Sequence, residues 1–281
     1  SGTPFRSAAM AIPGVRYDDG LCVPHVSYSY ADAVRDGICR PVTFIPYDGT
    51  LTWQVGDDVV EASFSDAVTG RDAGRRYRTA ISTELADGLP KILSSAHARL
   101  MELRRGDHRD AGGLVVAADG AHARRVAKVL RETCGVNATV VLHQEARAHA
   151  KLQAFRGGRD PWIVAVNMVS EGVDIPRLRV GVYATAAKTP LIFRQIVGRF
   201  VRTIPGRPAG ERSWVYLPGD PVLRVHAGEV ETELRHVLRV VEDEGDGLLD
   251  EPAERRRTEP AEAEAFVPVA ADVSPQLALF G

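Results

Sequence analysis

The sequence has 281 residues, which is enough for one large α/β domain with additional elements or for two modest domains. Its hydrophobic fraction of 44% and charged fraction of 26% are close to the averages of globular proteins, and no apolar run approaches the ~18 residues needed to cross a bilayer, so a membrane span is excluded. The net charge of −2 gives no overall attraction to nucleic acid, and the position of each cation is therefore more informative than the total.

The beginning of the chain and the cysteines indicate a fragment of a cytoplasmic protein. Residues 1–6 are neither basic nor apolar, so they do not resemble a signal peptide, and the absence of an initiator methionine suggests a piece of a longer protein. Cys22, Cys39 and Cys134 have neither the spacing of a metal site nor that of a disulfide framework. We therefore expect a cytoplasmic protein with no metal site in this chain.

Residues 31–110 are predicted to form a linking or inserted subdomain that begins with a hairpin. Two strand-like runs, 41–47 and 50–55, flank Asp48 and Gly49. An Asp-Gly pair between two apolar runs is typical of a tight β-hairpin. The sequence therefore predicts a turn at this dipeptide.

An arginine-rich helical stretch follows over residues 71–105, with a break near 88–90. Four arginines surround Tyr77 in its first part, at positions 71, 75, 76 and 78. Two interpretations remain open for them. They form either a solvated helix face or an accessory contact to nucleic acid, in which arginines bind phosphate and the tyrosine stacks on a base.

From residue 112 onward, strands alternate with helices. The predicted strands are 114–118, 139–142, 162–167, 179–184 and 213–217. Helical periodicity follows the first strand from Ala123 and the second strand around Leu152. This alternation predicts a doubly wound α/β domain over 111–245, with a mostly parallel sheet that binds ligands at the carboxyl ends of its strands. Residues 246–281 lack periodicity and are predicted to form a flexible tail.

The segment from residue 189 to residue 202 carries the strongest signal for chemistry. Thr189 can cap a helix that has Pro190 in its first turn, and Pro and Gly at positions 205 and 206 would stop it. On that helix Gln195, Arg199 and Arg202 would share one face at spacings i, i+4 and i+7. Two guanidinium groups side by side suit a multiply charged oxyanion such as phosphate. The alternative is an ordinary amphipathic helix whose arginines are solvated or paired with acids.

A second segment, residues 166–176, leaves a predicted strand and passes Gly172 before Asp174 and a proline. The glycine would allow close approach of a ligand to the backbone, and the carboxylate of Asp174 could accept a hydrogen bond from a ribose hydroxyl. Asp174 could instead do no more than cap a turn.

In this order, the two segments resemble motifs V and VI of superfamily 2 helicases of the DEAD/DEAH-box type. The sequence V-S-E-G-V-D-I-P precedes Q-I-V-G-R-F-V-R by about twenty residues, as in that family. The strand and helix at 114–130 resemble the motif IV region, and the opening S-G-T-P-F-R, with Ser1 and Thr3, resembles motif III. The resemblance implies a RecA-like second lobe over 111–245, and it makes residues 1–30 the end of a first lobe and its linker.

The resemblance also implies roles for individual residues. Arg202 would be an arginine finger that faces the γ-phosphate of ATP, and Arg199 would be a second contact to that phosphate. The residues implied to bind the nucleotide are Gln195, Gly172 and Asp174. The residues implied to lie near nucleic acid are Asn167, Ser170, Ala118 and Asp119. Ser1 and Thr3 would belong to the motif that couples ATP hydrolysis to movement along nucleic acid.

The sequence lacks the parts that would grip ATP. None of its four lysines follows a glycine, so the G-x-x-x-x-G-K-S/T phosphate loop is missing. The acidic run at 242–244 follows a helical pattern and is interpreted as a solvated helix end rather than a magnesium site. We therefore expect ATP and Mg²⁺ to be held mainly by the N-terminal RecA-like lobe of the same protein, and this chain alone to be inactive.

The expected partners are that lobe and nucleic acid, with no membrane. Motif VI starts with Gln195 rather than with the histidine usual in RNA helicases. The sequences of motifs V and VI resemble those of restriction-type and repair-type translocases, which favours DNA as the nucleic acid that is bound. The alternative function is a non-catalytic RecA-like module that binds nucleic acid or a partner protein. An unrelated doubly wound hydrolase is disfavoured because the sequence has no G-x-S-x-G turn.

Overall fold

The structure is a computed structural model, and it describes residues 17–18, 21–22, 28–142, 145–166, 174–204, 206, 211–240 and 266–276. The helices are α1 Tyr30–Arg35, α2 Gly70–Ala80, α3 Leu89–Arg105, α4 Gly120–Cys134, α5 Ala148–Gly157, α6 Pro190–Val197 and α7 Pro221–Val240. The strands are β1 Tyr17–Asp18, β2 Leu21–Cys22, β3 Val42–Val55, β4 Asp58–Ala62, β5 Gly112–Ala117, β6 Ala138–Val141, β7 Trp162–Val166, β8 Leu178–Ala184, β9 Ser213–Pro218 and β10 Val267–Pro275.

One eight-stranded sheet organises the fold. Seven strands follow the order β10-β3-β9-β8-β5-β7-β6, and β4 pairs with the far end of β3. The six strands β3, β9, β8, β5, β7 and β6 are neighbours in the sheet and run parallel to one another. In contrast, β10 and β4 run antiparallel to β3. Every residue of β5 and of β8 is buried, as expected for parallel strands that are covered on both faces. The predicted RecA-like, mostly parallel α/β fold is confirmed.

The hairpin predicted at Asp48 and Gly49 does not form, because β3 continues through both residues. The turn lies at residues 56–57, between β3 and β4, where Gly56 has a φ of 60°. Gly49 serves a different purpose, since a Cβ at this position would collide with the carbonyl oxygen of Asp272 on β10. The glycine thus permits close strand pairing rather than a turn.

The predicted subdomain 31–110 is not separate from the parallel sheet. The first half of β3 pairs with β9 in parallel register, from Val42 opposite Ser213 to Tyr47 opposite Pro218. Helix α3 packs against α4 and β8, so it shares the core of the main domain. A boundary at residue 110 therefore does not divide this fold. The sequence predicts residues 42–47 as one arm of a local hairpin, but they form a strand of the central sheet.

The predicted flexible tail includes a strand. Within 246–281, residues Val267–Pro275 form β10, which covers the outer edge of β3. Val273 is fully buried, and Lys91 of α3 pairs with Asp272 at 3.0 Å. The expectation of a tail without regular structure is wrong for this segment, because an isolated edge strand gains its hydrogen bonds only from a distant partner strand.

Helix α2 buries Tyr77 and two of the four arginines predicted around it, Arg75 and Arg76, whereas Arg71 and Arg78 are exposed. Tyr77 is 2% exposed, and its hydroxyl donates a hydrogen bond to the carbonyl of Thr185 at 2.7 Å. The guanidinium of Arg76 donates to the carbonyls of Ser63 and Asp66 at 2.6 and 2.9 Å. Stacking of Tyr77 on a base is therefore excluded in this conformation. The solvated face is wrong for Arg75, Arg76 and Tyr77, which are buried. Arg71 and Arg78 are exposed, and nucleic-acid contact by them stays a prediction.

Two observations bear on the classes of site considered above. None of the helices in the described ranges has the length and apolarity needed to cross a bilayer. Within the same ranges, no three His, Cys, Asp or Glu side chains form a group that could hold a metal ion.

Candidate functional site

Helix α6 starts as predicted and ends earlier than predicted. The hydroxyl of Thr189 accepts a hydrogen bond from the amide of Ile192 at 3.4 Å, and Pro190 occupies the first turn. The helix ends at Val197, with Gly198 as its C-cap, nine residues before the predicted stop at Gly206 (206 − 197).

The early end of α6 results from the burial of Phe200. Its ring lies on Gly181 of β8, where a Cβ would meet ring atoms at 2.5–3.0 Å, and it is 1% exposed. The chain then forms a β-bridge between Arg202 and Cys39. Gln195, Arg199 and Arg202 therefore do not share the face of one helix, and that prediction is wrong. Tertiary contacts have replaced the last turn of the predicted helix.

Arg202 and Asp174 nevertheless lie together. An Nη1 of Arg202 is 2.7 Å from Oδ1 of Asp174, and the two side chains are 44% and 42% exposed. An ion pair this exposed contributes at most about 1 kcal/mol of stability. The guanidinium can therefore exchange Asp174 for a more strongly charged anion at low cost.

Arg199 and Gln195 lie in the same part of the structure. Burial lowers the pKa of Arg199, and the charge of Arg202 lowers it further. Since an arginine stays protonated at neutral pH, two nearby cations here favour an anion. The amide Nε2 and Oε1 of Gln195 are buried and have no hydrogen-bond partner in the described structure. Such unsatisfied groups destabilise a fold by about 1–3 kcal/mol until a partner binds them.

This group lies at the amino-terminal edge of the parallel sheet. Asp174 precedes the first residue of β8 by four positions, and Cys39, the bridge partner of Arg202, precedes β3 by three. The chain from β7 to β8 must cross the sheet, because both strands are parallel neighbours of β5. Asp174 therefore does not lie at the carboxyl ends of the strands, where the parallel sheet is expected to bind ligands.

Ala118 and Asp119 lie at the opposite edge, directly after β5. The six residues of β5 separate the two edges by ~20 Å. The carboxylate of Asp119 caps α4 by accepting a hydrogen bond from the amide of His122 at 2.7 Å. The amide of Ala118 donates to Nδ1 of His122 at 3.1 Å. Both groups therefore have structural partners, and their contact with nucleic acid stays a prediction.

Five other residues with predicted roles lie outside the described ranges. They are Ser1, Thr3, Asn167, Ser170 and Gly172. Their assignments stay predictions.

A buried charged residue that no sequence pattern marks lies next to the site. Arg40 is 2% exposed, and its Nη2 donates a hydrogen bond to the carbonyl of Pro176 at 2.9 Å. The same nitrogen lies 3.3 Å from a carboxylate oxygen of Glu211. A lone arginine before a proline carries no motif, so only the tertiary structure identifies it.

The burial of His122 leads us to expect that the free energy of unfolding depends on pH. Its Nδ1 accepts the proton of the Ala118 amide, so Nε2 carries hydrogen and donates to the carbonyl of Ile81 at 2.9 Å. Desolvation lowers the pKa of His122 below its ordinary value of about 6.5. The unfolded chain then binds the proton more readily than the folded chain. We expect the free energy of unfolding to fall as the pH drops below about 6.5.

Urea unfolding between pH 7.5 and 5.5 would measure this effect. The His122→Gln variant should lose less stability over that interval than the wild type. The His149→Gln variant changes an exposed histidine of α5 and should keep the wild-type slope. Equal slopes for all three proteins would contradict the assignment.

One part of this chain is similar to a known protein domain. Residues 99–203 match the profile of the helicase conserved C-terminal domain. Uncharacterized proteins of Mycobacterium tuberculosis and Mycobacterium leprae are 39% identical over 290 residues and 38% identical over 275 residues. These alignments cover 100% and 95% of this chain but 47% and 45% of the relatives, so the chain spans about half the length of the curated relatives it matches.

A solved structure extends the fold assignment beyond the matched domain. It is a fragment described as the HsdR subunit of a type I restriction enzyme from Vibrio vulnificus, with a TM-score of 0.52 and 18% identity. The match covers 73% of this chain and 37% of that chain. At this identity the likeness concerns the fold alone.

The family match includes the central strands and the segments that carry Asp174 and the two arginines. It agrees with the resemblance of these segments to motifs V and VI. Residues 99–203 of this chain are therefore similar to the helicase conserved C-terminal domain.

Proposed function

We propose that this chain supplies the second lobe of an ATP-dependent DNA helicase or translocase. The observation that carries the proposal is the pairing of Arg202 with Asp174 at an exposed edge of the sheet, beside Arg199. In this proposal the two arginines act on the phosphates of ATP, and another RecA-like lobe of the same protein holds the rest of the nucleotide.

The exposed ion pair makes Arg202 suitable as an arginine finger. When the lobes close, its guanidinium exchanges Asp174 for the γ-phosphate, where it stabilises the charge that develops as the phosphoryl group is transferred. The carboxylate of Asp174 is then free to accept a hydrogen bond from a ribose hydroxyl. Arg199, which is more buried, holds its charge in a fixed place beside Arg202 and contacts the same phosphate.

The residues present fit one side of an ATP site. Arg199 and Arg202 supply positive charge, and the buried amide of Gln195 offers a donor and an acceptor to a ligand or to the facing lobe. Because the sequence lacks the phosphate loop, the phosphate loop and the metal are assigned to the other lobe. The relatives are about twice as long as the matched part, which leaves room for such a lobe.

DNA is proposed as the nucleic acid because of the amino-acid sequence of motif VI. Motif VI begins with Gln195, where RNA helicases usually have histidine. The edge of the sheet with Ala118 and Asp119 lies opposite the arginine site. In the proposal this edge faces the nucleic acid, so that one rigid sheet links movement along DNA to closure around ATP.

ATP hydrolysis by the isolated chain and by the full-length protein tests the proposal. We expect no hydrolysis above background from residues 1–281 alone, because the phosphate loop is absent from this sequence. The full-length protein should hydrolyse ATP, and DNA should stimulate the rate more than RNA does. Robust hydrolysis by the isolated chain would reveal a nucleotide site elsewhere. Binding of nucleic acid by the full-length protein without any ATP hydrolysis would favour a non-catalytic module.

A further inference from the structure

We infer that Arg40 and Glu211 form a positioning pair that fixes Arg202 relative to Asp174, a role that rests on the proposed function. Neither residue belongs to a helicase motif named above. Both are buried next to the site, and Arg40 contacts the two segments that carry Arg202 and Asp174.

Arg40 joins these segments by its backbone and by its side chain. Its amide donates a hydrogen bond to the carbonyl of Val201 at 2.6 Å, next to Arg202. Its guanidinium donates to the carbonyl of Pro176 at 2.9 Å, two residues after Asp174. Its own carbonyl accepts a hydrogen bond from the hydroxyl of Tyr30 at 2.7 Å. One residue therefore sets the distance between the two halves of the site.

Glu211 makes it possible to bury Arg40. The carboxylate is 5% exposed and lies 3.3 Å from the guanidiniums of both Arg40 and Arg179, which are themselves 1% and 3% exposed. His108 contacts the same carboxylate at 2.9 Å. A guanidinium removed from water needs such a counter-charge, and loss of Glu211 would leave the buried guanidiniums of Arg40 and Arg179 without this carboxylate.

The position of Arg202 relative to Asp174 depends on contacts beneath the exposed pair, and the hydrogen bond from the Thr203 hydroxyl to the carbonyl of Ile38 at 2.9 Å is one of them. Arg202 and Asp174 themselves meet at the surface, where an ion pair alone does not fix the distance between two segments. The bridge between Arg202 and Cys39 holds the backbone on one side. The contact of Arg40 with the carbonyl of Pro176 holds the other side. A displacement of about 1 Å in a catalytic group can lower a rate by about 10²-fold.

The test compares buried arginines in the full-length protein. In Arg40→Lys the ammonium keeps a positive charge beside Glu211 but lacks the planar guanidinium whose Nη2 reaches both the carboxylate and the Pro176 carbonyl. We expect this variant to fold and to lose kcat for ATP hydrolysis by about tenfold or more, while KM for ATP changes less. Glu211→Gln should give the same split between kcat and KM.

Arg76→Lys is the matched control. Arg76 is also 2% exposed, and its guanidinium also binds backbone carbonyl oxygen, but its two partners are Ser63 and Asp66, far along the chain from Arg202. It should lose thermal stability to a similar extent and keep the wild-type kcat, measured well below both melting temperatures. A purely structural role for Arg40 would give equal kcat in both variants and would overturn the inference.

The outcomes separate this inference from the proposed function. If the wild type hydrolyses ATP, Arg202→Ala is impaired and Arg40→Lys is not, only the positioning role is wrong. If the wild type itself hydrolyses no ATP, the proposed function fails and the positioning role fails with it.

Discussion

Replacement of Arg202 by alanine is expected to lower kcat for ATP hydrolysis by the full-length protein by ~10³-fold or more, the range known for arginine fingers in other nucleotide hydrolases. The side chain is half exposed and held by one ion pair, so its removal should leave the fold intact. Steady-state kinetics at saturating DNA and ATP would measure the loss. The melting temperature should change little, since an exposed pair contributes at most about 1 kcal/mol.

Arg35→Ala is the control for this variant. Arg35 is also about half exposed and also forms an ion pair, with Asp32 at 3.0 Å, but it lies on α1. It should keep the wild-type kcat. DNA-stimulated ATP hydrolysis that is unaltered in Arg202→Ala would disprove the assignment of the arginine finger.

Replacement of Phe193 by alanine is expected to destabilise this chain by about 3–5 kcal/mol, as for other large buried aromatic residues. Phe193 is 0% exposed, and its ring centre lies 5.6 Å from Phe44, 5.9 Å from Tyr183 and 5.6 Å from His226. These contacts attach α6 to β3, β8 and α7, so the cavity would loosen the helix that leads into the arginine site. Urea denaturation of residues 1–281 would measure the change in the free energy of unfolding.

Val225→Ala provides the comparison, because Val225 of α7 is 60% exposed. Its replacement should change stability by less than about 0.5 kcal/mol. A loss below about 1 kcal/mol for Phe193→Ala would mean that α6 is not anchored as described.

Periodicity and motif order were sufficient for the parallel half of the fold. The strands predicted at 114–118, 139–142, 162–167, 179–184 and 213–217 correspond to β5 to β9 within two residues at each end. Such strands are buried on both faces and therefore form continuous apolar runs that local sequence reveals. The resemblance to motifs V and VI also selected Asp174 and Arg202, which the structure brings to 2.7 Å.

Local patterns failed where a distant segment decides the conformation. The Asp48-Gly49 pair has the composition of a turn, yet β9 and β10 together hold β3 extended through it. The segment after Gly198 has helical spacing, yet burial of Phe200 against Gly181 ends the helix. In both places the alternative conformation gains pairing or packing that no window of ten residues contains.

The sequence by itself determined the class of fold, the helicase-type motifs and the identity of the charged residues at the site. The tertiary structure alone decided that Asp174 and Arg202 meet at the amino-terminal edge of the sheet and that Arg40 and Glu211 lie beneath them. The reason is physical. Helix and strand periods arise from contacts between near neighbours along the chain, whereas a buried ion pair such as Arg40 with Glu211 joins residues 171 positions apart (211 − 40) and exists only once the sheet has brought them together.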